Sequence, residues 1–243
     1  MNPDLTAVIT FHREGILAHA TLRSYLHSRA RARAGGINVE MILVLDNADA
    51  ETAARVRSHP DRHGDEVIIE TSVGDSALAR NQGIGCATGE YVCMLDGDDL
   101  VSRDYFQRHV EMARATPGRV ILHAEVVVSF GRDDRFSWQV DQRAMPFSAD
   151  MLISENPWVS AVFARREVFQ EVPYVACFPR ETGFGYEDWH WNCQTVAAGY
   201  EHLAVAGTAY FYRLKQAGSV NTSNSALQAV MPPSHLFGDW SRA

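Results

Sequence analysis

The stretch that decides the fold is EYVCMLDGDDLVSRDY, residues 90–105, in which an apolar run passes directly into three aspartates. The nearly continuous apolar character of residues 91–95 is typical of a strand that is covered on both faces. Asp96, Asp98 and Asp99 follow at once. In open α/β sheets, ligands bind beyond the carboxyl ends of the strands. The stretch therefore predicts a buried strand that delivers carboxylates to a binding site at one edge of a sheet.

Strand and helix patterns alternate on both sides of this stretch. The predicted strands are short apolar runs, and the predicted helices carry apolar residues three or four positions apart. Such alternation, continued over about 120 residues, indicates right-handed strand–helix–strand units. We therefore predict an α/β fold with a Rossmann-like, mostly parallel central sheet flanked by helices. Strands are predicted near residues 5–11, 39–46, 66–70, 90–95 and 119–130, and helices near 13–34, 51–59, 76–88 and 102–115.

The second half of the chain is less regular. Residues 130–185 are rich in Arg, Asp, Phe, Trp and Pro and show little periodicity, apart from a predicted strand at 158–164. A helix is predicted at 187–199 and a strand at 208–214. The tail, residues 216–243, is rich in Ser, Asn, Gly and Pro, so we predict a mobile loop or lid there.

Composition and charge exclude several classes of protein. The net charge is −8 and the basic residues are scattered, which argues against a nucleic-acid groove. No apolar stretch has the length that spans a membrane, and the N-terminal MNPDLTAVIT enters a strand pattern at once, unlike a signal peptide. The cysteines show neither metal-type spacing nor a disulfide framework. We therefore expect a cytoplasmic protein with reduced thiols at Cys86, Cys93, Cys177 and Cys193.

The alternate spacing of Asp96 and Asp98 points to a cation site. Two carboxylates projecting from one tight turn suit a hard divalent cation, which in turn binds substrate phosphates. Gly97 between them would let the backbone come close to a ligand. The alternative is a solvated turn in which Asp99 or Ser102 caps the next helix. We adopt that alternative for Asp99 and Ser102 only, because a cap needs a single acid.

The aspartate turn closes a longer signature. GDSALARNQGIGCATGEYVCMLDGDDLVSRDYF, residues 74–106, resembles the signature of family 2 glycosyltransferases, which have the type A (GT-A) nucleotide-sugar fold. In that family, Ala-Arg-Asn and then Ala-x-Gly-Glu-Tyr lead into a strand and Asp-x-Asp-Asp. Further motifs occur in the family's order: AVITFH, ILVLDNAD, GFGYEDWHWN and YFYR. This ordered set makes the resemblance specific over roughly residues 5–220.

The resemblance implies an inverting, metal-dependent glycosyltransferase. Such an enzyme moves a single sugar from a nucleotide diphosphate donor, a UDP-sugar by default, to a hydroxyl of a glycan or glycolipid acceptor. It implies Mn²⁺ or Mg²⁺ as the cofactor, which would neutralise charge on the departing diphosphate. Residues 1–125 would form the nucleotide-sugar-binding part. Residues 126–243 would form the acceptor-binding and catalytic-base part with its lid, within one continuous GT-A domain.

The resemblance also implies roles for individual residues. Asp188 matches the general base that deprotonates the acceptor, and Glu187 would orient that base or cap its helix. Arg80 would face the diphosphate or the base of the nucleotide. The alternative to a metal ligand for His235 is an exposed residue in the tail. The alternative to a donor contact for Arg213 is a solvated strand end. The expected donor-binding residues are Thr10, Asp46, Arg80, Asp96, Asp98 and Arg213, and the expected metal ligands are Asp98, Asp96 and His235.

Some positions depart from the family's pattern. Thr10-Phe11-His12-Arg13 stands where Pro-x-Tyr-Asn is usual, and Asn47 stands where a second acid is usual. Both changes fall in the nucleoside pocket, so the donor stays open among UDP, dTDP and GDP. The Gln-x-x-Arg-Trp motif of processive synthases is missing from the sequence, which favours transfer of single sugars.

Two other functions fit parts of the sequence. A non-catalytic glycosyltransferase-like binding domain predicts damage at Asp98 or Asp188, and both residues are present. A haloacid-dehalogenase-type phosphotransferase also uses an Asp-x-Asp turn, but Leu100 and Val101 stand where its Thr or Ser is expected. We therefore favour the transferase, with a nucleotide-sugar donor and a glycan or lipid-linked sugar acceptor as its partners.

Contact with a membrane is expected to be peripheral at most. The predicted first helix carries several arginines within residues 23–33, which would reach anionic lipid at the inner face of the membrane if the acceptor is lipid-linked. A solvated helix face is the simpler interpretation of these charges.

Overall fold

The computed structural model describes residues 2–215 and 218–238, which fold around one central sheet. The strands in this part of the chain are β1 Leu5–Phe11, β2 Val39–Asp46, β3 Val67–Thr71, β4 Tyr91–Asp96, β5 Leu100–Val101, β6 Val120–Gly131, β7 Arg135–Trp138, β8 Val162–Arg165 and β9 Glu201–Leu214. The helices are α1 Leu17–Ala34, α2 Ala50–Arg57, α3 Ser76–Cys86, α4 Tyr105–Ala115, α5 Met151–Ser154, α6 Arg166–Glu171, α7 Pro179–Thr182, α8 Glu187–Ala197, α9 Val220–Ala226 and a 3₁₀ helix, His235–Phe237.

Two parallel parts make up the sheet. Its strand order is β3-β2-β1-β4-β8-β6-β9-β5, and β7 pairs with β6. The strands β1 to β4 are parallel to their neighbours among themselves, and so is the long pairing of β6 with β9. The short strand β8 is antiparallel to both β4 and β6 and joins the two parts. The predicted mostly parallel sheet is therefore confirmed, with antiparallel pairs where β8, β5 and β7 enter it.

Helices cover both faces of the central strands. β1, β2 and β4 are almost wholly buried, which explains why their sequences lack polar alternation. One face packs against α1 and α4 through Leu22, Tyr25 and Phe106. The other packs against α3 and α8 through Ile84 and Trp191. This double packing holds the carboxyl ends of the three strands at one edge of the sheet.

A glycine allows α3 to lie directly on the sheet. A Cβ atom at Gly83 would stand 2.3 Å from Val8 Cγ1 and 2.9 Å from Val44 Cγ2, closer than such atoms can approach. At Gly85, in the same helix, a Cβ atom would meet open space. Gly83 therefore sets how closely α3 packs on β1 and β2.

The first helix differs from the prediction in its start and in one of its faces. It begins at Leu17, because Gly15 two residues earlier has a φ of +53°, which is not helical. Arg29, which we expected on a solvated face, is buried and pairs with Asp65 and Glu66. Among the described helices, none is both long and apolar enough to cross a membrane.

The described part of the C-terminal tail is folded. Ser219 caps α9 through its side chain, which accepts a hydrogen bond from a backbone N–H in the first turn. The helix packs on the loop before α8, where a Cβ atom at Gly185 would lie 2.7 Å from the side chain of Asn224. The Gly185 backbone N–H also donates to the carbonyl oxygen of Val230 at 2.9 Å.

The prediction of a loop is therefore wrong for residues 220–226 and 235–237, which are helical, and the mobility and the lid stay predictions. A polar composition suggested a loop, but the serine cap and the contacts with the loop before α8 stabilise regular structure. The rest of the predicted tail, residues 216–217 and 239–243, lies outside the described residues.

Candidate active site

Three of the predicted site residues meet at the carboxyl edge of the parallel strands. In the register of β1, β2 and β4, Thr10 lies beside Val44 on one side and beside Asp96 on the other. Asp46 ends β2 just beyond Val44. Thr10, Asp46 and Asp96 therefore share one edge, which is where open α/β sheets bind ligands.

The turn after β4 is held tightly against β1. A Cβ atom at Gly97 would lie 2.5 Å from Phe11 Cδ1 and 2.6 Å from the carbonyl oxygen of Thr10. The hydroxyl of Tyr25 donates to the carbonyl oxygen of Asp96 at 2.8 Å. Gly97 is thus needed for contact with β1, whereas the sequence suggested that it serves the approach of a ligand.

Asp96 is a charged carboxylate with two partners. Its Oδ1 accepts a hydrogen bond from Arg80 Nη2 at 2.9 Å, and its Oδ2 accepts one from the Ser160 hydroxyl at 2.5 Å. Burial raises the pKa of Asp96, but the charge of Arg80 and these hydrogen bonds outweigh burial and hold the pKa below its usual value. The side chain keeps 24% of its surface exposed, so it still faces the open edge of the sheet.

Asp98 contacts the end of β9. Its Oδ2 lies 2.6 Å from Lys215 Nζ, and its carbonyl oxygen accepts a hydrogen bond from Arg213 Nε at 2.8 Å. Burial raises the pKa of Asp98, and the ammonium group of Lys215 opposes that shift without cancelling it. Arg213, predicted to bind the donor, thus holds the backbone of the aspartate turn, and its guanidinium lies 4.5 Å from the centre of the Phe130 ring.

Asp99 is buried, so its predicted place in a solvated turn is wrong. Its Oδ2 accepts a hydrogen bond from the Tyr210 hydroxyl at 2.7 Å, and its Oδ1 accepts one from the Arg213 backbone N–H at 2.6 Å. Burial, and then the neighbouring carboxylates of the turn, raise the pKa of Asp99 well above its ordinary value. Asp99 therefore joins the turn to β9. Asp104, rather than Asp99 or Ser102, stands at the N-cap position of α4.

Arg80 joins three elements of the fold. It lies on α3 and donates from Nη2 to Asp96, at the end of β4, and from Nη1 to Glu187 Oε1, at the start of α8, at 2.7 Å. Its side chain is 5% exposed, and the guanidinium carbon lies 5.5 Å from the centre of the Tyr174 ring. Arg80 thus pairs with two carboxylates in this structure, and its contact with the diphosphate or the base of the nucleotide stays a prediction.

The predicted general base, Asp188, lies in the first turn of α8. Tyr186, just before the helix, has a left-handed backbone with φ of 61°, and Glu187 Oε1 accepts a hydrogen bond from the Ser76 hydroxyl at 2.7 Å. Asn156 Nδ2 lies 3.5 Å from Asp188 Oδ2. Burial, and then the charge of Glu187, raise the pKa of Asp188 to about 6. A carboxyl group with such a pKa can accept a proton near neutral pH.

The carboxylate of Asp46 binds the loop that precedes α3. Its Oδ1 accepts hydrogen bonds from the Thr71 hydroxyl and the Val73 backbone N–H, both at 2.8 Å, and its Oδ2 accepts one from the Gly74 N–H at 3.1 Å. Asn47 follows with a φ of 47°, a conformation that Asn tolerates better than most residues. In this structure Asp46 shapes the rim of the expected nucleoside pocket, and its contact with the donor stays a prediction.

The aspartate turn offers oxygen ligands that fit a hard cation. Asp96 and Asp98 carry partly exposed carboxylates, the chemistry that Mn²⁺ and Mg²⁺ prefer. These oxygens are engaged by Arg80, Ser160 and Lys215, so a cation bound by Asp98 would compete with Lys215. Within residues 2–215 and 218–238, no group of three or more His, Cys, Asp or Glu side chains is arranged to hold a metal ion.

The structure does not bring His235 into a cluster with the two aspartates. His235 begins the 3₁₀ helix, is exposed, and donates its backbone N–H to Gln194 Oε1 of α8 at 2.9 Å. Its role as a metal ligand therefore stays a prediction.

Several polar residues that support the site escaped the sequence analysis. Ser160, Asn156 and Ser76 each contact one of the predicted acids. Asn156 lies in the irregular middle of the chain, and Ser160 lies within the strand predicted at residues 158–164, where no motif marks it as a site residue. Ser76 lies within the signature of residues 74–106, so its position beside the Ala-Arg-Asn stretch was the one available signal.

Comparison with known sequences establishes the family of this chain. The family model described as "Glycosyl transferase family 2" matches residues 6–173. The chain belongs to this family. The match contains the carboxyl edge of the sheet and the aspartate turn, and it ends before Glu187 and Asp188.

Relatives of this family 2 protein are named for polysaccharide biosynthesis. It is 29% identical over 145 residues to the succinoglycan biosynthesis protein ExoO of Rhizobium meliloti (strain 1021), a match that covers 59% of this chain and 40% of ExoO. It is 37% identical over 97 residues to the amylovoran biosynthesis glycosyltransferase AmsB of Erwinia amylovora, covering 37% of this chain and 32% of AmsB. The matched region thus spans less than half the length of either relative.

Solved structures confirm that the family 2 protein has the GT-A fold. The mannosyltransferase PcManGT from Pyrobaculum calidifontis, in complex with GDP-Man and Mn²⁺, superposes with a TM-score of 0.60 at 18% identity, over 90% of this chain and 59% of that one. S. aureus TarS 1-349 in complex with UDP-GlcNAc superposes with a TM-score of 0.58 at 12% identity, over 90% of this chain and 61% of that one. At these identities the likeness establishes the fold alone.

Proposed function

We propose that this protein is an inverting glycosyltransferase that moves one sugar from a nucleotide diphosphate donor to a hydroxyl of a glycan or glycolipid acceptor. The observation that carries the proposal is the environment of Asp188, whose pKa is raised to about 6 by burial and by Glu187. Arg80 ties that acidic pair to Asp96 at the carboxyl edge of the sheet. Membership of glycosyl transferase family 2 supports sugar transfer as the reaction.

The donor would bind along the carboxyl edge of β1, β2 and β4, within residues 1–125. Thr10 and Asp46 would flank the nucleoside, and Asp96 would lie near the ribose. Arg213 would support the diphosphate end of the site through its contact with Asp98. Proteins of the same fold bind GDP-Man in one structure and UDP-GlcNAc in another, so we keep UDP as the default and GDP and dTDP as candidates.

Asp98 and Asp96 would hold a divalent cation, Mn²⁺ or Mg²⁺. When bound, the ion supplies positive charge that stabilises the departing diphosphate. The support for a divalent ion is the carboxylate chemistry of the turn and the Mn²⁺ in the complex of PcManGT.

The transfer step needs a base for the acceptor, and Asp188 would serve as that base. As the acceptor oxygen forms its bond to the anomeric carbon of the sugar, its proton passes to Asp188 and the bond from that carbon to the diphosphate oxygen breaks. A carboxyl group with a pKa of about 6 is deprotonated at neutral pH and ready to accept that proton. A base on the face opposite the leaving group gives a single displacement with inversion.

Residues 126–243 would form the acceptor surface. They also contain α9, which packs on the loop before α8, the helix that carries Asp188. Relatives named for succinoglycan and amylovoran biosynthesis support a glycan acceptor. A location in the cytoplasm and a peripheral contact with the membrane remain predictions.

The first experiment is calorimetric binding of UDP, GDP and dTDP, each with and without Mn²⁺, to the wild type and to Asp98→Asn. We expect one nucleotide to bind in a manner that needs both the metal and Asp98. With the sugar donors of that nucleotide, Asp188→Asn should keep donor binding and lose transfer by roughly 10²–10⁴-fold. The exposed Asp150→Asn is the matched control and should transfer like the wild type.

Two results would contradict the proposal. If no nucleotide binds under any condition, the carboxyl edge is not a donor site. If a nucleotide binds but Asp188→Asn transfers as fast as the wild type, Asp188 is not the base. Nucleotide binding with no turnover of any donor would instead favour a non-catalytic binding domain.

A further inference from the structure

The single lysine of the chain forms an ion pair with the predicted metal ligand. Lys215 follows β9 directly, and its Nζ lies 2.6 Å from Asp98 Oδ2. The two side chains are 21% and 15% exposed, so the pair is largely shielded from water. Lys215 therefore places an ammonium group directly against the carboxylate of Asp98 at the aspartate turn.

The other two acids of the turn have different kinds of partner. Asp96 is held by Arg80 and Ser160. Asp99 is held by the Tyr210 hydroxyl and by a backbone N–H. Arg80 lies on α3, Tyr210 and the N–H donor Arg213 lie on β9, and Ser160 lies just before β8. Lys215, in contrast, is a long flexible side chain beyond the end of its strand. Of the partners of these three acids, Lys215 is therefore the one that can move with the smallest change in the fold.

A metal ion and the lysine cannot share the same oxygen of Asp98. A divalent ion would sit roughly 2.0–2.2 Å from a carboxylate oxygen, within the space that the ammonium group fills. Since both are cations, they would also repel each other strongly at that separation. Entry of a metal at this oxygen therefore requires that Lys215 leave it.

We propose that Lys215 is a resident counter-ion of Asp98, that a divalent cation displaces it, and that the diphosphate of the donor then takes up the released ammonium group. This inference rests on the proposed function, because it assumes a nucleotide diphosphate at the same turn. Nucleotide and metal would then bind cooperatively, since each favours the same movement of one side chain.

The structure supports each part of this exchange. The Asp98 backbone is fixed by Arg213, so the carboxylate stays in place when its partner leaves. An ammonium group that leaves Asp98 would lose a largely shielded ion pair, which disfavours metal binding in the absence of donor. A diphosphate at the turn supplies the missing anion and removes that penalty.

The test is a titration with Mn²⁺, in which free Mn²⁺ is measured by electron paramagnetic resonance. It compares the wild type, Lys215→Met and Lys215→Arg, with and without UDP or GDP. Without nucleotide, Lys215→Met should bind Mn²⁺ about tenfold or more tightly than the wild type, the change that 1.4 kcal/mol produces. Nucleotide should tighten Mn²⁺ binding to the wild type and should do so far less in Lys215→Met. Lys215→Arg, which keeps the charge, should remain close to the wild type.

The possible outcomes separate this inference from the proposed function. One outcome contradicts the exchange but leaves the proposed function in place. In it, the wild type binds a nucleotide with Mn²⁺, Lys215→Met binds Mn²⁺ no more tightly than the wild type, and nucleotide tightens Mn²⁺ binding equally in both proteins. If nucleotide binds without any Mn²⁺ binding, the exchange and the proposed metal site are both wrong, and the donor site alone stands. If neither ligand binds the wild type, the proposed function is wrong, and the exchange, which rests on it, is wrong as well. Equal thermal melting of the three proteins would show that the comparison is made between folded chains.

Discussion

Two adjacent acids at the start of α8 have different surroundings. Glu187 is held by Ser76 and Arg80, so its charge is fixed in place beside Asp188. That fixed charge, after burial, is what raises the pKa of Asp188 to about 6. One acid thus serves to set the proton affinity of the other, which is a common way to tune a base in an active site.

Glu187→Gln should lower the pKa of Asp188 below about 6, because it removes the neighbouring negative charge and leaves an oxygen that still accepts from Arg80. Transfer depends on the deprotonated base, so activity is lost as the pH falls through this pKa. The acidic limb of the pH–rate profile should therefore move to lower pH in Glu187→Gln. A limb that stays in place would show that Glu187 does not set the pKa of the base.

Arg80→Met should destabilise the fold strongly. It leaves the carboxylates of Asp96 and Glu187 without their shared cation in a buried site, and breaking such a pair costs about 3–5 kcal/mol. Arg55→Met is the matched control, because its pair with Glu51 lies on the surface of α2 and contributes less than about 1 kcal/mol. Urea unfolding measures both changes, and equal losses in the two variants would contradict the role given to Arg80.

At the scale of helices and strands, the sequence predicted what depends on local pattern. β1, β2 and β4 were predicted almost residue for residue, because strands buried on both faces read as unbroken apolar runs. The start of α1 and the folded tail were mispredicted, because they depend on Gly15 and on packing against Gly185. Contacts between distant segments do not change the spacing of apolar residues in either segment, so they cannot be predicted from that spacing.

The packing of α3 on the sheet predicts opposite effects for the same substitution at two positions. Gly83→Ala should destabilise the protein by about 1–3 kcal/mol, because its Cβ atom would overlap Val8 and Val44. Gly85→Ala should be neutral or stabilising by up to about 1 kcal/mol, since alanine favours a helix and its Cβ atom meets open space. Thermal or urea unfolding of the two variants provides the comparison. A similar change in both would mean that α3 does not lie against the sheet as described.

For the whole molecule, the family signature predicted the fold, but not the network of contacts that holds the acids at the edge of the sheet. The expected edge does bring Thr10, Asp46 and Asp96 together. Arg80 and Asp99 have partners within the protein that the signature did not indicate, because a charged residue within a signature carries no sign of whether it meets a ligand or another side chain. The hydrogen bond from Ser160 to Asp96 depends on the pairing of β8 with β4, which no sequence pattern indicates.

Three buried histidines should lower the stability of the fold in mild acid. His109, His123 and His202 are fully buried, and burial lowers the pKa of His109 to about 4, that of His123 to about 3 and that of His202 well below its usual value. His123 Nε2 lies 2.9 Å from His202 Nδ1, and His202 Nε2 lies 3.0 Å from the Thr195 hydroxyl. The three rings are therefore neutral in the folded protein over a range in which they are charged in the unfolded chain.

The contribution of these histidines to stability has a definite sign. Above about pH 6.5 both states are neutral and the contribution is complete. Below that pH the unfolded chain binds more protons, so the free energy of unfolding falls by up to about 1.4 kcal/mol per pH unit for each histidine. Urea unfolding between pH 7.5 and 4.5 measures the slope. His109→Met should reduce the slope by one proton, and the exposed His27→Gln should leave it unchanged.

The place of β8 has a consequence for how the chain is made. β8 inserts between β4 and β6, although both precede it in the sequence. While the ribosome adds the residues from the end of β4 to Arg165, one side of β4 has no neighbour, for roughly 3–14 seconds at 5–20 residues per second. An open strand edge is a template for pairing with other chains. Nascent chains stalled before residue 162 should therefore be the ones that most need a chaperone.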